Sequence, residues 1–415
     1  MLLRLAFKSL KSRLLTVSLT VFAIALSVAL FLGVEKVRTG AKASFADTIS
    51  GTDLIVGARS GGVQLLLYSV FRVGNATNNV TWQSYQDIAV HKDVDWIVPL
   101  SLGDSHKGFR VLGTTTAFFD RYKYRGGRDV TFTEGRVFDD LFDAVVGADV
   151  AAELGYAPDD EIVVAHGVAS FTEHDDKPFK ISGVLQKTGT PVDRTVFVSL
   201  EAIEAIHIDW QGGGRSQNTI SADEVRQMEL TPKAVTAALV GVSSRLKIFG
   251  VQRWVNDYPE EPLLAILPGV ALSELWSLIG VAETALVGVS VMVMVTALLG
   301  MVAMIFSGLN ERRREIALLR AIGARPRTIL GLLTLEAALM SLVAVLLGVA
   351  LLYTGLFVAR SYIDAAFGLY LEITWPTTRE YLVLATVVAA GTLVSLIPAL
   401  RAYFMSLADG MQVRN

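Results

Sequence analysis

Cysteine is absent from the 415 residues of this sequence, which excludes disulfides and thiolate metal sites. The sequence also lacks the Gly-x-x-x-x-Gly-Lys-Ser/Thr loop that cradles nucleotide phosphates, so we expect no ATPase site in this chain. Neither a Gly-x-Ser-x-Gly elbow nor a His-Glu-x-x-His pair occurs. We therefore predict no catalytic residues, and we expect this chain to bind no cofactor itself.

Charged residues are nearly absent from four long stretches, although 19% of the whole sequence is charged. One of them, Thr284 to Leu309, would reach roughly 39 Å as a helix at about 1.5 Å per residue, more than a hydrocarbon core of about 30 Å requires. We therefore predict an α-helical membrane protein with four transmembrane helices. They lie at residues 14–34, at 276–309 (a stalk followed by the second helix), at 328–359 and at 381–402.

Lysine and arginine mark the cytoplasmic ends of these helices, because basic residues accumulate in loops that are not translocated. Residues 1–13 form a predicted basic interfacial helix, residues 310–327 a basic loop and residues 403–415 a tail. Residues 360–380 carry three acids and two arginines and form a short outer loop. Both termini are thus predicted in the cytoplasm and residues 35–275 outside, with the first helix retained. This charge distribution favours membrane lipids as partners and gives no reason to expect nucleic acid.

The segment 35–275 holds all five histidines and no uncharged run long enough to span a membrane. Strand-like and helical patterns alternate in it; a buried strand at 143–147, for example, precedes a helix that Gly155 ends. The mixed order predicts a large α+β domain of two lobes, inserted between the first and second membrane helices, rather than a parallel α/β sheet. A translocated domain without disulfides fits a bacterial envelope.

The basic loop 310–327 reads as a short amphipathic helix. Ile316, Leu319 and Ile322 recur at helical spacing, Gly323 is placed to end the helix in a left-handed conformation, and Pro326 suits the start of the next helix. One interpretation is a surface helix held by anionic lipid head groups through its arginines. The other is a segment that binds a protein partner.

The run Glu311-Arg-Arg-Arg-Glu315-Ile316-Ala-Leu-Leu319-Arg320-Ala-Ile-Gly323-Ala324 resembles the coupling segment of the MacB/LolC/FtsX-type ABC transporter permeases. In that family this loop docks into a cleft of the ATPase. The resemblance implies that the loop transmits nucleotide-driven closure of the ATPases to the preceding helix. By position, it assigns ATPase coupling to Glu311, Arg314, Glu315, Leu319, Arg320 and Gly323.

The outer domain carries a second resemblance. The run from Ala144 to Gly155, followed by Phe179–Leu185 and Val196–Leu200, resembles the periplasmic core domain of MacB-like permeases. In that family one lobe is assembled from both ends of the domain and the other is inserted between them, here within about 105–210. The segment Pro398-Ala-Leu-Arg401-Ala402, which closes the fourth helix, also resembles the family.

The resemblance implies a permease subunit of an ABC transporter in the bacterial inner membrane, without a fused ATPase. Such a subunit forms a homodimer, or a heterodimer with a second permease, and works with two copies of a separate ATPase that binds ATP and Mg. By mechanotransmission it would export or extract a lipid, lipoprotein, peptide or drug, with a periplasmic adaptor or cargo protein as a further partner. The alternatives are an FtsX-like regulator of an envelope or cell-wall partner, and a receptor with no ATPase.

Three further groups of residues have two interpretations each. Leu66, Leu67, Val70 and Phe71 form one apolar helix face, which is either core or a surface for a lipidic substrate or the second subunit. Glu336, inside the third membrane helix, either contacts the cytoplasmic arginines or a partner helix, or reaches to water. The set His166, His174, Asp175 and Asp176 could bind zinc, but its spacing matches no short motif and a solvated loop is favoured, so we predict no metal site.

Overall fold

A computed structural model describes residues 2–167, 174–211, 214–215, 220–311, 313–367 and 374–404. The helices are α1 Leu2–Lys11, α2 Leu14–Asp47, α3 Gly62–Ser69, α4 Trp82–Ala89, α5 Ala117–Arg121, α6 Ala148–Leu154, α7 Leu200–His207, α8 Ala222–Val225, α9 Ile248–Asn256, α10 Pro268–Glu311, α11 Arg313–Ala321, α12 Pro326–Phe367, α13 Thr378–Val394 and α14 Leu396–Phe404. The strands are β1 Leu54–Ala58, β2 Val80–Thr81, β3 Val94–His106, β4 Phe109–Thr114, β5 Lys123–Tyr124, β6 Arg128–Asp129, β7 Phe132–Gly135, β8 Asp143–Val146, β9 Glu161–Ile162, β10 Phe179–Leu185, β11 Thr195–Ser199, β12 Trp210–Gln211, β13 Gly214–Arg215, β14 Ala234–Val235, β15 Ala237–Val242 and β16 Leu263–Ile266.

The chain divides into two units. The first, the helical unit, comprises Met1–Gly40, Gly280–Ser361 and Glu372–Asn415; the second, the outer domain, comprises Ala41–Ile279 and Tyr362–Leu371. Among the described residues, four helical stretches are long and apolar enough to cross a membrane: Leu14–Asp47, Pro268–Leu309, Pro326–Ala359 and Thr378–Phe404. The predicted fold class, four membrane helices and a large α+β domain between the first two, is confirmed.

The helical unit packs around small and apolar side chains of α2, α10, α12 and α13. Ile24, Met301, Ala337 and Ala344 are fully buried there. Gly348 of α12 lets the backbone of α2 approach, since a Cβ at Gly348 would lie 2.7 Å from the carbonyl oxygen of Ala25. Small residues are the usual means by which membrane helices come close enough to pack.

The fourth membrane stretch is broken into α13 and α14 between Val394 and Leu396. The break has a local cause in Pro398. A proline inside a helix lacks the backbone N–H and its ring clashes with the carbonyl four residues earlier, here that of Val394.

Ten strands of the outer domain join one sheet in the order β16-β1-β15-β3-β4-β11-β8-β10-β7, with β9 paired to β10. The thirteen-residue strand β3 links the two halves of this sheet. Its residues Val94–Leu100 pair with β15, and its residues from Ser101 to His106 pair with β4, with a bulge between Leu102 and Ser105. The first half is antiparallel and draws strands from both ends of the domain. The second half mixes parallel and antiparallel pairs and uses strands between residues 101 and 199.

The sheet is buried on both faces, which explains why β8 and β11 read as continuous apolar runs. Along β11, Phe197 packs in one core with Leu66 and Phe118, whereas its neighbours Val196 and Val198 pack in another. Successive side chains of a strand point to opposite faces, so one strand serves both cores. Helix α7, which follows β11, starts at a cap in which the Ser199 side chain accepts a hydrogen bond from the N–H of Ala202 at 3.0 Å.

Candidate functional site

Helix α11 lies between membrane helices α10 and α12 and carries the segment for which coupling is predicted. Ile316 is 7% exposed and packs with Leu309, Ile329, Leu333 and other apolar residues of the helical unit. Leu318 and Ile322, by contrast, are 60% and 81% exposed. The helix is therefore anchored by one apolar side chain while others face solvent.

The end of α11 has the expected conformation. Gly323 has φ +99°, and its N–H donates to the carbonyl of Arg320 at 3.1 Å while the N–H of Ala324 donates to that of Leu319 at 3.0 Å. Leu319 and Arg320 are half-buried and Glu315 is exposed. The side chains of Glu311 and Arg314 lie outside the described part of the chain. The coupling role of all six predicted residues stays a prediction.

Glu336 lies in a small cavity at the end of the helical unit nearest α11. It is 7% exposed and shares that cavity with Arg13, Gly308 and Met340. The guanidinium of Arg13 donates to the carbonyl of Gly308 at 2.9 Å. A Cβ at Gly308 would lie 2.0 Å from Arg13 Nη1, so the glycine makes room for this arginine. A carboxylate and a basic residue thus line one cavity, which accommodates a charge at this depth of the bundle.

A second charged group lies at the other end of α2. Lys36 pairs with Glu380 at 3.2 Å, and Arg38 pairs with Glu35 at 2.8 Å and with Glu283 at 3.7 Å. Most of these side chains line a cavity of about 280 Å³. These ion pairs connect α2 to α10 and to α13.

The predicted apolar face, which runs along α3 and just past its end at Ser69, is divided between buried and half-buried side chains. Leu66 is fully buried and Val70 is 5% exposed, whereas Leu67 and Phe71 are half-buried. The ring of Phe71 packs 4.4 Å from that of Phe45. Because Leu66 and Val70 form part of the domain core, neither is available to a substrate or a second subunit in this structure.

Three histidines and one aspartate of the outer domain form a cluster, hereafter the histidine cluster. It comprises Asp104 of β3, His166, His174 and His207, the last residue of α7, and their four ligand atoms lie within 4.8 Å of one another. Asp104 Oδ1 is 3.5 Å from His166 Nδ1 and 3.4 Å from His207 Nε2. His166 Nδ1 and His207 Nε2 face each other at 2.9 Å.

Backbone contacts bring these four residues together. Ser105 and Ala165 exchange two backbone hydrogen bonds of 2.9 and 2.7 Å, which places Asp104 beside His166. The N–H of His174 donates to the carbonyl of Val164 at 2.9 Å. Lys177 is buried and pairs with Asp176 at 2.8 Å and with Asp209 at 2.7 Å, so it joins the turn after His174 to the end of α7.

Charge and burial set the protonation of the histidine cluster. Burial opposes the charge on Asp104, but the adjacent His166 and His207 outweigh it and lower the pKa of this carboxyl to about 2. Burial, with repulsion from His207, lowers the pKa of His174 to about 4. Burial also disfavours charge on His207, yet the Asp104 carboxylate raises the pKa of His207 above its ordinary value.

Sequence reasoning found half of the histidine cluster. His166 and His174 belong to it, and His174 is 2% exposed rather than solvated. Of the two acids predicted with them, Asp175 is exposed and Asp176 pairs with Lys177. Asp104 and His207 were missed because they lie 62 and 41 residues from His166 in the chain. The available signal was the confinement of all five histidines to one domain.

Two protein-family models match this chain. Residues 17–247 match the MacB-like periplasmic core domain, and residues 287–407 match the FtsX-like permease C-terminal region. No curated protein matches it.

Two solved structures resemble part of the chain. The periplasmic region of MacB from Actinobacillus actinomycetemcomitans matches with a TM-score of 0.35 and 10% identity, over 55% of this chain and 94% of that one. The extracellular domain of the noncanonic ABC-type transporter YknZ from Gram-positive bacteria matches with a TM-score of 0.31 and 12% identity, over 52% of this chain and 98% of that one.

The matched ranges cover most of the helical unit and most of the outer domain, and they define the class as a non-enzymatic transmembrane subunit of a transporter. Because the periplasmic-core model alone matches more than half of the chain, the chain belongs to the family of MacB/FtsX-type ABC transporter permeases. The resemblance found in the sequence is thereby confirmed. The protein is a multi-pass protein of the bacterial inner membrane, and its family implies a partner ATPase.

Proposed function

We propose that this chain is the permease subunit of an ABC transporter that uses a separate ATPase to export or extract a substrate at the outer side of the inner membrane. The observation that carries the proposal is the surface of α11. This helix is held to the bundle by Ile316, while Leu318 within it and Ile322 directly after it are exposed to solvent. Exposed apolar side chains on a short anchored helix suit a protein interface better than contact with water.

In this mechanism α11 lies in the cytoplasm and docks on the ATPase, with Glu311, Arg314, Glu315, Leu319 and Arg320 at or near the contact. Two permease chains, identical or different, would work with two ATPase copies, which hold ATP and Mg. ATP binding would draw the two α11 helices together. Helix α10 would pass that motion on, since its 44 residues form one helix about 66 Å long.

The substrate class in this proposal remains broad: a lipid, a lipoprotein, a peptide or a drug, with a periplasmic adaptor or cargo protein as a further partner. The FtsX-like regulator is the less favoured alternative. The match of residues 17–247 to a MacB-like core domain supports transport over regulation of a cell-wall partner.

Ile322→Asp tests the docking surface. The change places a carboxylate at a position where the side chain is 81% exposed, so the protein should still fold. Burial of the new charge in an interface should weaken ATPase association at least about 10-fold, or about 1.4 kcal/mol. Association is measured as the ATPase co-purified from native membranes and identified by mass spectrometry. Leu246→Asp is the matched control, because Leu246 is 92% exposed but lies in the outer domain.

The expected result is loss of the ATPase with Ile322→Asp and its retention with Leu246→Asp. Charge reversal at Arg320 should give the same loss. If both α11 variants retain the ATPase at the wild-type level, α11 is not the docking surface.

A further inference from the structure

We propose that the histidine cluster of Asp104, His166, His174 and His207 binds one divalent transition-metal cation, with Zn²⁺ the best fit. The proposal concerns the outer domain alone and does not depend on the ATPase. It starts from the residue types. Three imidazoles and one carboxylate form a ligand set that suits zinc, copper or nickel, whereas Mg²⁺ and Ca²⁺ prefer oxygen ligands.

The distances support a four-coordinate ion. Atoms placed tetrahedrally about 2.0–2.1 Å from zinc lie about 3.3 Å from one another. In the cluster, His166 Nδ1 and His207 Nε2 are 2.9 Å apart, and each is close to Asp104 Oδ1, at 3.5 and 3.4 Å. Shifts of a few tenths of an ångström would bring these atoms to the distances that separate the ligand atoms of a tetrahedral zinc ion. His174 completes the set, with its ring centroid 5.2 Å from that of His207.

Asp104 is the strongest single indication. It is 3% exposed, and its Oδ1 is buried without a hydrogen bond among the residues that the structure describes. A buried carboxylate oxygen left in this way costs free energy unless an ion or a proton compensates it. The oxygen faces two imidazole nitrogens, so a cation between the three would satisfy all of them.

The orientation of His207 is set by a contact outside the cluster. Its Nδ1 lies 2.7 Å from the carbonyl oxygen of Ile203, to which it donates as N–H. That hydrogen bond fixes the tautomer and turns the lone pair of Nε2 toward Asp104 and His166. Histidine ligands of metals commonly donate their other ring nitrogen to a carbonyl in this manner.

The competing explanation is a proton instead of a metal. His207 could hold a proton and donate to His166 or Asp104, giving a hydrogen-bonded network with no ion. An ion can reach the cluster from solvent, because 49% of the His166 side chain and 25% of the His207 side chain are exposed. With four protein ligands the ion would have no open position, so its role would be to join β3, the turn after His174 and the end of α7 rather than to catalyse.

Zn²⁺ binding to the full-length protein tests the proposal. The detergent-purified protein, carrying an affinity tag without histidine, is stripped with a chelator, incubated with Zn²⁺ and analysed for bound metal after desalting. We expect one Zn²⁺ per chain, together with a raised thermal unfolding temperature. Co²⁺ in place of Zn²⁺ should give the strong visible absorption of a tetrahedral site.

Asp104→Asn and His207→Gln each remove one ligand and should weaken Zn²⁺ binding by more than about 10-fold. His91→Gln is the matched control, because His91 packs against Trp254 and is not a member of the cluster. Wild-type protein that retains no Zn²⁺ and shows no thermal shift overturns the proposal without any variant. Equal Zn²⁺ binding by the ligand variants and the control also overturns it.

Discussion

At the scale of single residues, Gly147 shows how closely two backbone segments approach in the outer domain. A Cβ at this position would lie 2.3 Å from the carbonyl oxygen of Val192 and 2.4 Å from that of Asp193. Backbone oxygens cannot swing aside as the end of a long side chain can. We therefore expect Gly147→Ala to lower the free energy of unfolding by about 1–3 kcal/mol, measured by thermal or denaturant unfolding.

Gly250 in α9 provides the control, because a Cβ there meets nothing within 4 Å. Gly250→Ala should stabilise by about 0.5–1 kcal/mol, since alanine loses less backbone entropy than glycine in a helix. If both variants unfold like the wild type, the close approach at Gly147 is not present in the protein.

The histidine cluster marks the limit of what single residues reveal. Sequence reasoning could place His166 and His174 together, because they lie eight residues apart. It could not place Asp104 and His207 beside them, because a backbone bridge and a helix end bring these residues in from distant positions. No local sequence pattern encodes contacts between residues so far apart. Asp175 and Asp176 were considered as ligands because they follow His174 in the sequence, but neither belongs to the cluster.

At the scale of elements, the membrane helices were predictable, but their packing faces were not. Each is apolar all round, so hydrophobic periodicity does not distinguish the side that faces a neighbour. Glycines with close neighbours supply that information. A Cβ at Gly348 would lie 2.7 Å from Ala25 O and 2.8 Å from Val28 Cβ, which assigns this side of α12 to the contact with α2.

Gly348→Val should therefore separate α12 from α2. We expect the thermal unfolding temperature in detergent to fall by several degrees, or the protein to aggregate, because overpacking of this kind typically costs about 1–3 kcal/mol. Gly355→Val in the same helix is the control, since nothing lies within 4 Å of a Cβ there. Equal behaviour of the two variants would contradict the close packing of α2 and α12.

For helix α11, the sequence predicted the residue at which the helix ends, but it did not predict which apolar side chains are buried. Gly323 was expected to be left-handed and is, because glycine adopts positive φ without a steric cost. The expected apolar face is split, however, with Ile316 buried and Ile322 81% exposed. Ile322 follows Ala321, the last residue of α11, so it lies outside the helix whose face Ile316 buries.

At the scale of the whole molecule, composition and charge were sufficient to predict four membrane helices and one α+β domain. They were not sufficient to predict the order in which the strands pair in the sheet. The predicted strand at 143–147 exists as β8, but the pairing of strands is largely non-local: β1, for example, pairs with β15 and β16, about 180–210 residues away. Such non-local pairing depends on the packing of the complete chain rather than on any window of it.

The proposed mechanism requires the outer domain and α11 to lie on opposite sides of the membrane, and the absence of cysteine makes this directly testable. Leu246→Cys and Ile322→Cys place single thiols at positions that are 92% and 81% exposed. A membrane-impermeant maleimide added to spheroplasts should label Leu246→Cys at once. It should label Ile322→Cys only after the membrane is permeabilised, since the basic residues around α11 favour the cytoplasm.

The wild-type chain is the blank, because it offers no thiol to the reagent. The two substitutions serve as controls for each other, since both thiols are highly exposed and should react equally once the membrane is open. Labelling of both in intact spheroplasts, or of neither, would place the outer domain and α11 on one side of the membrane. A helix on the same side as the domain could not carry motion from an ATPase across the bilayer, and the proposed coupling through α10 would then be excluded.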